Sequence, residues 1–196
     1  MATDAGHDVD WTAYLVEWLA WSQRNVLDAL ALVDDERART RPGATAPSIA
    51  FHAWHLARWA DRHAVAVPRW LAGHADEPPP ADEIWVREGL GTAWGFDLKG
   101  LGDYQIGAGL DDAASAALPL PALPELRPYV EAAFAALEAA VGTIAPTRLA
   151  LPVTDLYGDR TTVAEVVGGV ISHTDRHLGM IEALRGVLGE RGTATV

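Results

Sequence analysis

Four long amphipathic stretches, joined by two shorter links and one connection of about fifty residues, leave few folds open to this chain. The first runs from about Val9 to Arg39, with an aromatic-rich face (Trp11, Tyr14, Trp18, Trp21) and a charged end, Asp34-Asp35-Glu36-Arg37. Arg41-Pro42-Gly43 stops it. The second opens at Ser48, an N-cap after Pro47, and runs to about Leu71, where Pro68 should kink or shorten the last turn. Pro124 and Glu125 open the third, which ends near Val141-Gly142. Thr162-x-x-Glu165 has the pattern of a capping box and starts the fourth, which ends at Leu188-Gly189. Four such helices predict an all-α four-helix bundle, one domain over residues 1–196. The rival is an α+β fold, since Leu149–Val153 has the composition of a short strand.

The connection from Gly73 to Leu123 is too long for an ordinary loop. It carries Pro78-Pro79-Pro80, many glycines, Trp85 and Trp94. It should hold short helices and cover one end of the bundle, with Trp85, Trp94 and Phe96 as its apolar body and Arg87 as its cation. Such a cover either seals a satellite core or forms the wall of a substrate pocket.

The formal charge of the 196-residue chain is −12. An acidic surface repels phosphate, so neither nucleic acid nor an anionic membrane is an expected partner. No stretch approaches eighteen uninterrupted apolar residues. Met1-Ala2-Thr3-Asp4 lacks the basic stretch and apolar run of a signal peptide, so the expected location is the cytoplasm. The chain has no cysteine. Disulfides, thiolate ligands and a protein thiol nucleophile are therefore excluded, and chemistry must use His, carboxylates, hydroxyls or a thiol carried in by another molecule.

Histidine is where the sequence departs from a plain bundle. Stepping through the fourth helix by threes and fours gives Val166, Val170, His173, His177, Ile181 and Leu184, so two imidazoles interrupt an aliphatic stripe. At i and i+4 their Cβ atoms lie roughly 5–6 Å apart, and the rings can grip one ion. In the second helix His52, His55, Trp59 and Arg62 or His63 share a face. One His from there and the pair from the fourth helix would meet in the interior, where facing helices build metal sites. His52 and His55 both qualify on spacing. His63 reads as a partly exposed residue near the helix end, and His7 and His74 get no role. Asp61, Asp175 and Arg176 are candidates to support the ligands or touch substrate; a solvated helix face is their bland alternative.

Trp54-His55-Leu56-Ala57-Arg58, the block Gly158-Asp159-Arg160-Thr161-Thr162-Val163-Ala164-Glu165, and His173-x-x-x-His177-Leu178-Gly179 with Leu184-Arg185-Gly186 together make the chain resemble the DinB-like family. Its wider superfamily includes mycothiol- and bacillithiol-dependent transferases. The resemblance spans nearly the whole chain and implies a four-helix bundle with a tri-histidine metal site. Carried over, the ligands are His55, His173 and His177, with His52 in a supporting or core role. It implies one divalent ion. Imidazole suits zinc, nickel, iron or copper, and three neutral ligands leave coordination positions open, as in catalytic sites. The implied activity is thiol-linked S-transfer or isomerisation on a small-molecule substrate, with Arg87 or Arg176 as an anion contact and a homodimer as the candidate assembly. The alternative is a non-enzymatic metal- or ligand-binding stress protein, in which the ion would be capped by protein with no cavity beside it.

Overall fold

The computed structural model describes residues 9–74 and 80–192; Met1–Asp4, His7 and Pro78-Pro79 lie outside the described residues. The fold is all-α. Four long helices make the bundle: α1 (Trp11–Ala31), α3 (Ile49–Leu71), α7 (Leu123–Gly142) and α8 (Val163–Val187), with a short α2 (Asp35–Arg39) after the first. Among the described residues no helix is long and apolar enough to cross a membrane. The expected single helix from Val9 to Arg39 is two. Asp34 adopts an extended conformation and its carboxylate accepts the Arg37 N–H, so it caps a new helix and breaks the old one. Helix α3 passes through Pro68 to Leu71. The capping box at Thr162 and Glu165 is formed as expected, with Thr162 and Glu165 each accepting the other's backbone N–H.

Strand character does occur after α7, slightly later than Leu149–Val153. Strands β1 (Pro152–Thr154) and β2 (Arg160–Thr162) pair antiparallel, Val153 opposite Thr161. Three residues each make a hairpin, not a sheet layer. Asp155 stabilises its tip by accepting the backbone N–H groups of Tyr157 and Asp159.

The length of the central connection follows from helix direction. Tyr129 of α7 lies beside Arg58 and Asp61 of α3, and Arg148, just past α7, donates to the carbonyl of Leu71 at the end of α3. So α3 and α7 run parallel, and the chain must return the length of the bundle between them, as in bundles with long crossovers. The return contains α4 (Ile84–Arg87), α5 (Leu90–Ala93), α6 (Asp112–Ala116) and single 3₁₀ turns. It covers the half of the bundle in which α3 begins. Helix α3 is in consequence buried almost all round from Ile49 to His63.

Arg58 holds this cover in place. Its Nε donates to the carbonyl of Gln105 at 3.0 Å, and one terminal nitrogen donates to Asp61 at 3.3 Å and to the Tyr129 hydroxyl at 3.2 Å. The other donates to Glu83 at 2.7 Å and to the carbonyl of Tyr104 at 3.2 Å. Every N–H group of the guanidinium is thereby satisfied. Arg62 supplies a second cation to Glu83 at 2.6 Å, and Asp61 accepts the backbone N–H groups of Ile84 and Trp85. Two guanidiniums and two carboxylates balance in charge, which is what allows them to be buried. Tyr104 and Gln105 both sit at positive φ, 58 and 55 degrees, where a side chain is costly. The Arg58 bonds to their carbonyls, and stacking of Arg62 on the Tyr104 ring, hold that turn. Gly107 follows, also at positive φ, and a Cβ there would stand 2.7 Å from the Trp54 ring. Only glycine lets the turn approach α3 this closely.

Removing the hub leaves buried partners unpaired. Arg58→Ala should destabilise the protein by about 3–5 kcal/mol. At roughly 2–4 °C per kcal/mol, the midpoint in thermal circular dichroism should fall by about 10 °C. Arg58→Lys should recover little of that, because an ammonium has three donors and no fork. A midpoint within a degree or two of wild type would contradict the hub role.

Candidate metal centre

Helices α3 and α8 run antiparallel, and this brings His52 opposite His177 and His55 opposite His173. Nε2 of His55 lies 3.2 Å from Nε2 of His173, and Nδ1 of His52 lies 2.8 Å from Nδ1 of His177. One ring nitrogen from each of His55, His173 and His177 falls within 4.8 Å of the others. His55 is buried, whereas His173 and His177 are half-buried, so the cluster is closed on the α3 side and open on the other.

The tautomer of His55 is fixed by its surroundings. Its Nδ1 lies 2.5 Å from the carbonyl oxygen of Ile106, an atom that can only accept. Nδ1 therefore carries the proton, and the lone pair of Nε2 points into the cluster. Ile106 follows directly on the strained pair Tyr104-Gln105, so the Arg58 hub sets the orientation of His55 through the backbone. No side-chain motif encodes that contact.

Burial holds all four imidazoles neutral. It lowers His52 to about 4 and His173 to about 3, with neighbouring histidines adding to the shift; His55 and His177 are lowered for the same first reason. Two neutral rings as close as those of His55 and His173 need either a proton or a cation between their facing nitrogens. Nδ1 of His173, on the other side of its ring, is buried with no hydrogen-bond partner. Metal–imidazole bonds of about 2.0–2.1 Å place neighbouring ligand nitrogens roughly 3–3.5 Å apart. The His55–His173 spacing fits that range. The donor set suits a divalent ion.

The other sequence candidates divide. His52 sits outside the cluster of three and meets it at Nδ1 of His177, 2.8 Å away. Arg176 lines a cavity of about 340 Å³ that reaches His173. Asp175 stays on α8 with a buried oxygen that has no partner. Asp61 is not brought to the site: its oxygens are taken by Arg58, Tyr129 and two backbone N–H groups of the cover. Arg87 is likewise elsewhere, 61% exposed and 3.7 Å from Glu88. His63 is corrected from partly exposed to buried, at 3% exposure. It lines the same cavity, its Nδ1–H donating to the carbonyl of Trp59 at 2.8 Å. Burial holds it neutral too, lowered to about 4. His74 is exposed.

The rest of the cavity wall joins Trp59 and Glu165, already marked by their helix positions, to residues the sequence does not mark. Trp59 stacks on His63, and its ring lies 5.0 Å from that of His173 and 5.7 Å from that of Tyr157 at the hairpin tip. Asp155, Leu156 and Glu165 complete that side. Tyr157 and Asp155 give no signal in sequence, because only the β1–β2 turn carries them to α8.

Histidines held neutral by burial make stability pH-dependent. Their folded-state affinity for protons lies below the unfolded value near 6.5, so between about pH 6.5 and 4 the unfolded chain binds more protons. Metal-free protein should be stable and flat above pH 7. It should then lose up to about 1.4 kcal/mol per pH unit for each such histidine on acidification. Urea unfolding at pH 7.5 and pH 5 checks this; equal midpoints would contradict it.

Comparison with known proteins agrees with this architecture. No curated protein matches the chain. The crystal structure of a conserved protein from Enterococcus faecalis superposes with a TM-score of 0.71 at 19% identity, over 91% of this chain and 98% of that one. At that identity the likeness concerns the fold. The family model described as the DinB superfamily matches residues 19–181, a span that takes in α3, the whole cover and all three clustered histidines. The chain belongs to the DinB superfamily.

Proposed function

We propose that the chain is a metal-dependent S-transferase or isomerase that works with a low-molecular-weight thiol, of the mycothiol or bacillithiol type, on a small-molecule electrophile. His55, His173 and His177 would hold one divalent ion through neutral nitrogens. Such an ion supplies Lewis acidity, lowering the pKa of a bound thiol or water toward neutrality. The protein has no cysteine, so the sulfur must come from a second molecule.

The observation that carries this reading is the cavity. It opens beside His173 with a volume of about 340 Å³. That is within the size range of small-molecule sites. A metal-storage or sensing protein with a capped ion would need no such space. Trp59 and Tyr157 give the cavity an apolar aromatic wall, and Arg176 offers an anionic group a partner. His63 cannot act as a cation there, since burial keeps it neutral; its proton is committed to Trp59, so its other nitrogen is an acceptor. His52 would orient His177, as a hydrogen-bonded neighbour commonly orients a ligand.

Cobalt reports on both halves of the proposal. Cobalt-loaded protein titrated with mycothiol, bacillithiol, glutathione and cysteine should develop a sulfur-to-cobalt charge-transfer band with at least one of them. His173→Ala should fail to take up an equivalent of cobalt. His52→Gln should lose no more than the roughly 10–100-fold in affinity typical of a residue behind the ligands. Full loading of His173→Ala would reject the site. Loading without a band for any thiol would reject the thiol chemistry and leave a metal-binding protein.

A further inference from the structure

His63 is the polar group of the cavity that the proposed chemistry leaves unused. It is 3% exposed, and one of its nitrogens is spent: Nδ1–H donates to the carbonyl of Trp59, one helical turn back. Its ring stacks on that of Trp59, with centroids 5.1 Å apart and planes 16° apart, and meets the edge of Trp70 at 6.4 Å. The imidazole cannot turn over without losing both the bond and the stack. Behind it lies a small closed cavity between α1, α3, α7 and α8, walled by Leu19, Val67, Leu137 and valines of α8, and the imidazole shows only carbon to that space. Nε2 is thereby left for the 340 Å³ cavity, and among the described residues it has no hydrogen-bond partner.

The two carboxylates on this wall are engaged elsewhere. Asp155 accepts the backbone N–H groups of Tyr157 and Asp159, and Glu165 accepts from Thr161 and Thr162 at the capping box. The charges that bear on His63 are Arg62 and Asp155, one of each sign, so its surroundings call for no ionic partner. What remains is a neutral lone pair with a fixed direction, and a buried acceptor is at its best when a donor reaches it. We propose that Nε2 of His63 accepts a hydrogen bond from a neutral O–H or N–H group of the electrophile, and so makes the cavity specific for substrates that carry such a donor. The inference rests on the reading of this cavity as the substrate site. The Trp59 ring is in contact with both His63 and His173, so the acceptor stands one indole away from a ligand of the ion. The donor then belongs to the end of the substrate remote from the reacting carbon. An ionised acid has no hydrogen to give and would meet the lone pair, so acid groups are directed to Arg176 instead. A site that hydrogen-bonds its substrate in this way rejects the analogue that lacks the donor.

Phenol and its methyl ether, anisole, share a ring that suits the wall of Trp59 and Tyr157 and differ in the one hydrogen at issue. Zinc-loaded protein labelled with ¹⁵N in histidine can be titrated with each, using long-range proton–nitrogen spectra that separate Nδ1 from Nε2 in every ring. The His63 signals are assigned by their loss in His63→Phe or His63→Gln. Phenol should move Nε2 of His63 upfield, leave its Nδ1 in place, and bind about fivefold tighter than anisole or better. His63→Phe, which keeps a ring on Trp59 but no nitrogen, should bind the two probes alike and take up zinc as wild type does. Should that variant fail to fold, the wild-type shift decides. An Nε2 unmoved at saturating phenol, anisole bound as tightly as phenol, or a folded His63→Phe that still prefers phenol would each overturn the proposal. Neither probe contains sulfur, so the absence of a thiol band in the cobalt protein and a failure here are separate results.

Discussion

The guanidinium of Arg58 is the point on which this structure turns. It is a buried cation with all its donors used, three on the side chains of Asp61, Tyr129 and Glu83 and two on the carbonyls of Tyr104 and Gln105. Through those bonds one side chain on α3 fixes α7, the start of the cover and its Tyr104-Gln105 turn. Paired buried charges contribute little net stability compared with apolar packing, but losing one partner is costly. The network therefore specifies an arrangement more than it strengthens one. What it specifies is the position of the Ile106 carbonyl, which in turn decides which nitrogen of His55 is free to bind.

The candidate centre thus depends on three distant pieces of chain. Two histidines come from a helix register on α8, and one comes from the middle of the buried α3. The constraint on that third ring comes from a strained turn 51 residues further on. The parallel course of α3 and α7 makes the long crossover necessary, and the crossover supplies the turn. Metal binding would then draw on order already present in the protein, because the rings are neutral and one of them is already aimed. Of the three clustered histidines, His173 also lines the cavity under the β1–β2 hairpin, on the side away from the hub.

Much of this was legible in the sequence, for reasons of periodicity. His173 and His177 show themselves because polar rings on an aliphatic helical stripe need an explanation. The capping box at Thr162 and Glu165 is local, so local reading finds it. The failures are non-local. Asp61 beside a run of histidines reads as support for them, but its partners include the backbone N–H groups of Ile84 and Trp85. His63 reads as an exposed helix-end residue because nothing in its neighbours reveals that the chain closes over it. Arg87 looks like a pocket cation and is a surface residue. The break in the first helix lay within reach: Asp34 before Asp35-Glu36 is a fair N-cap, though a continuous charged end looks equally helical.

The central claim is that three imidazoles, and no carboxylate, hold one ion at the meeting of α3 and α8. X-ray absorption at the metal edge of zinc-reconstituted protein tests it most directly. The account predicts a first shell of nitrogen or oxygen at about 2.0–2.1 Å with outer-shell scattering from three imidazole rings. His55→Ala should remove one ring from that pattern. A shell with fewer than three imidazoles, or one unchanged by His55→Ala, would contradict it.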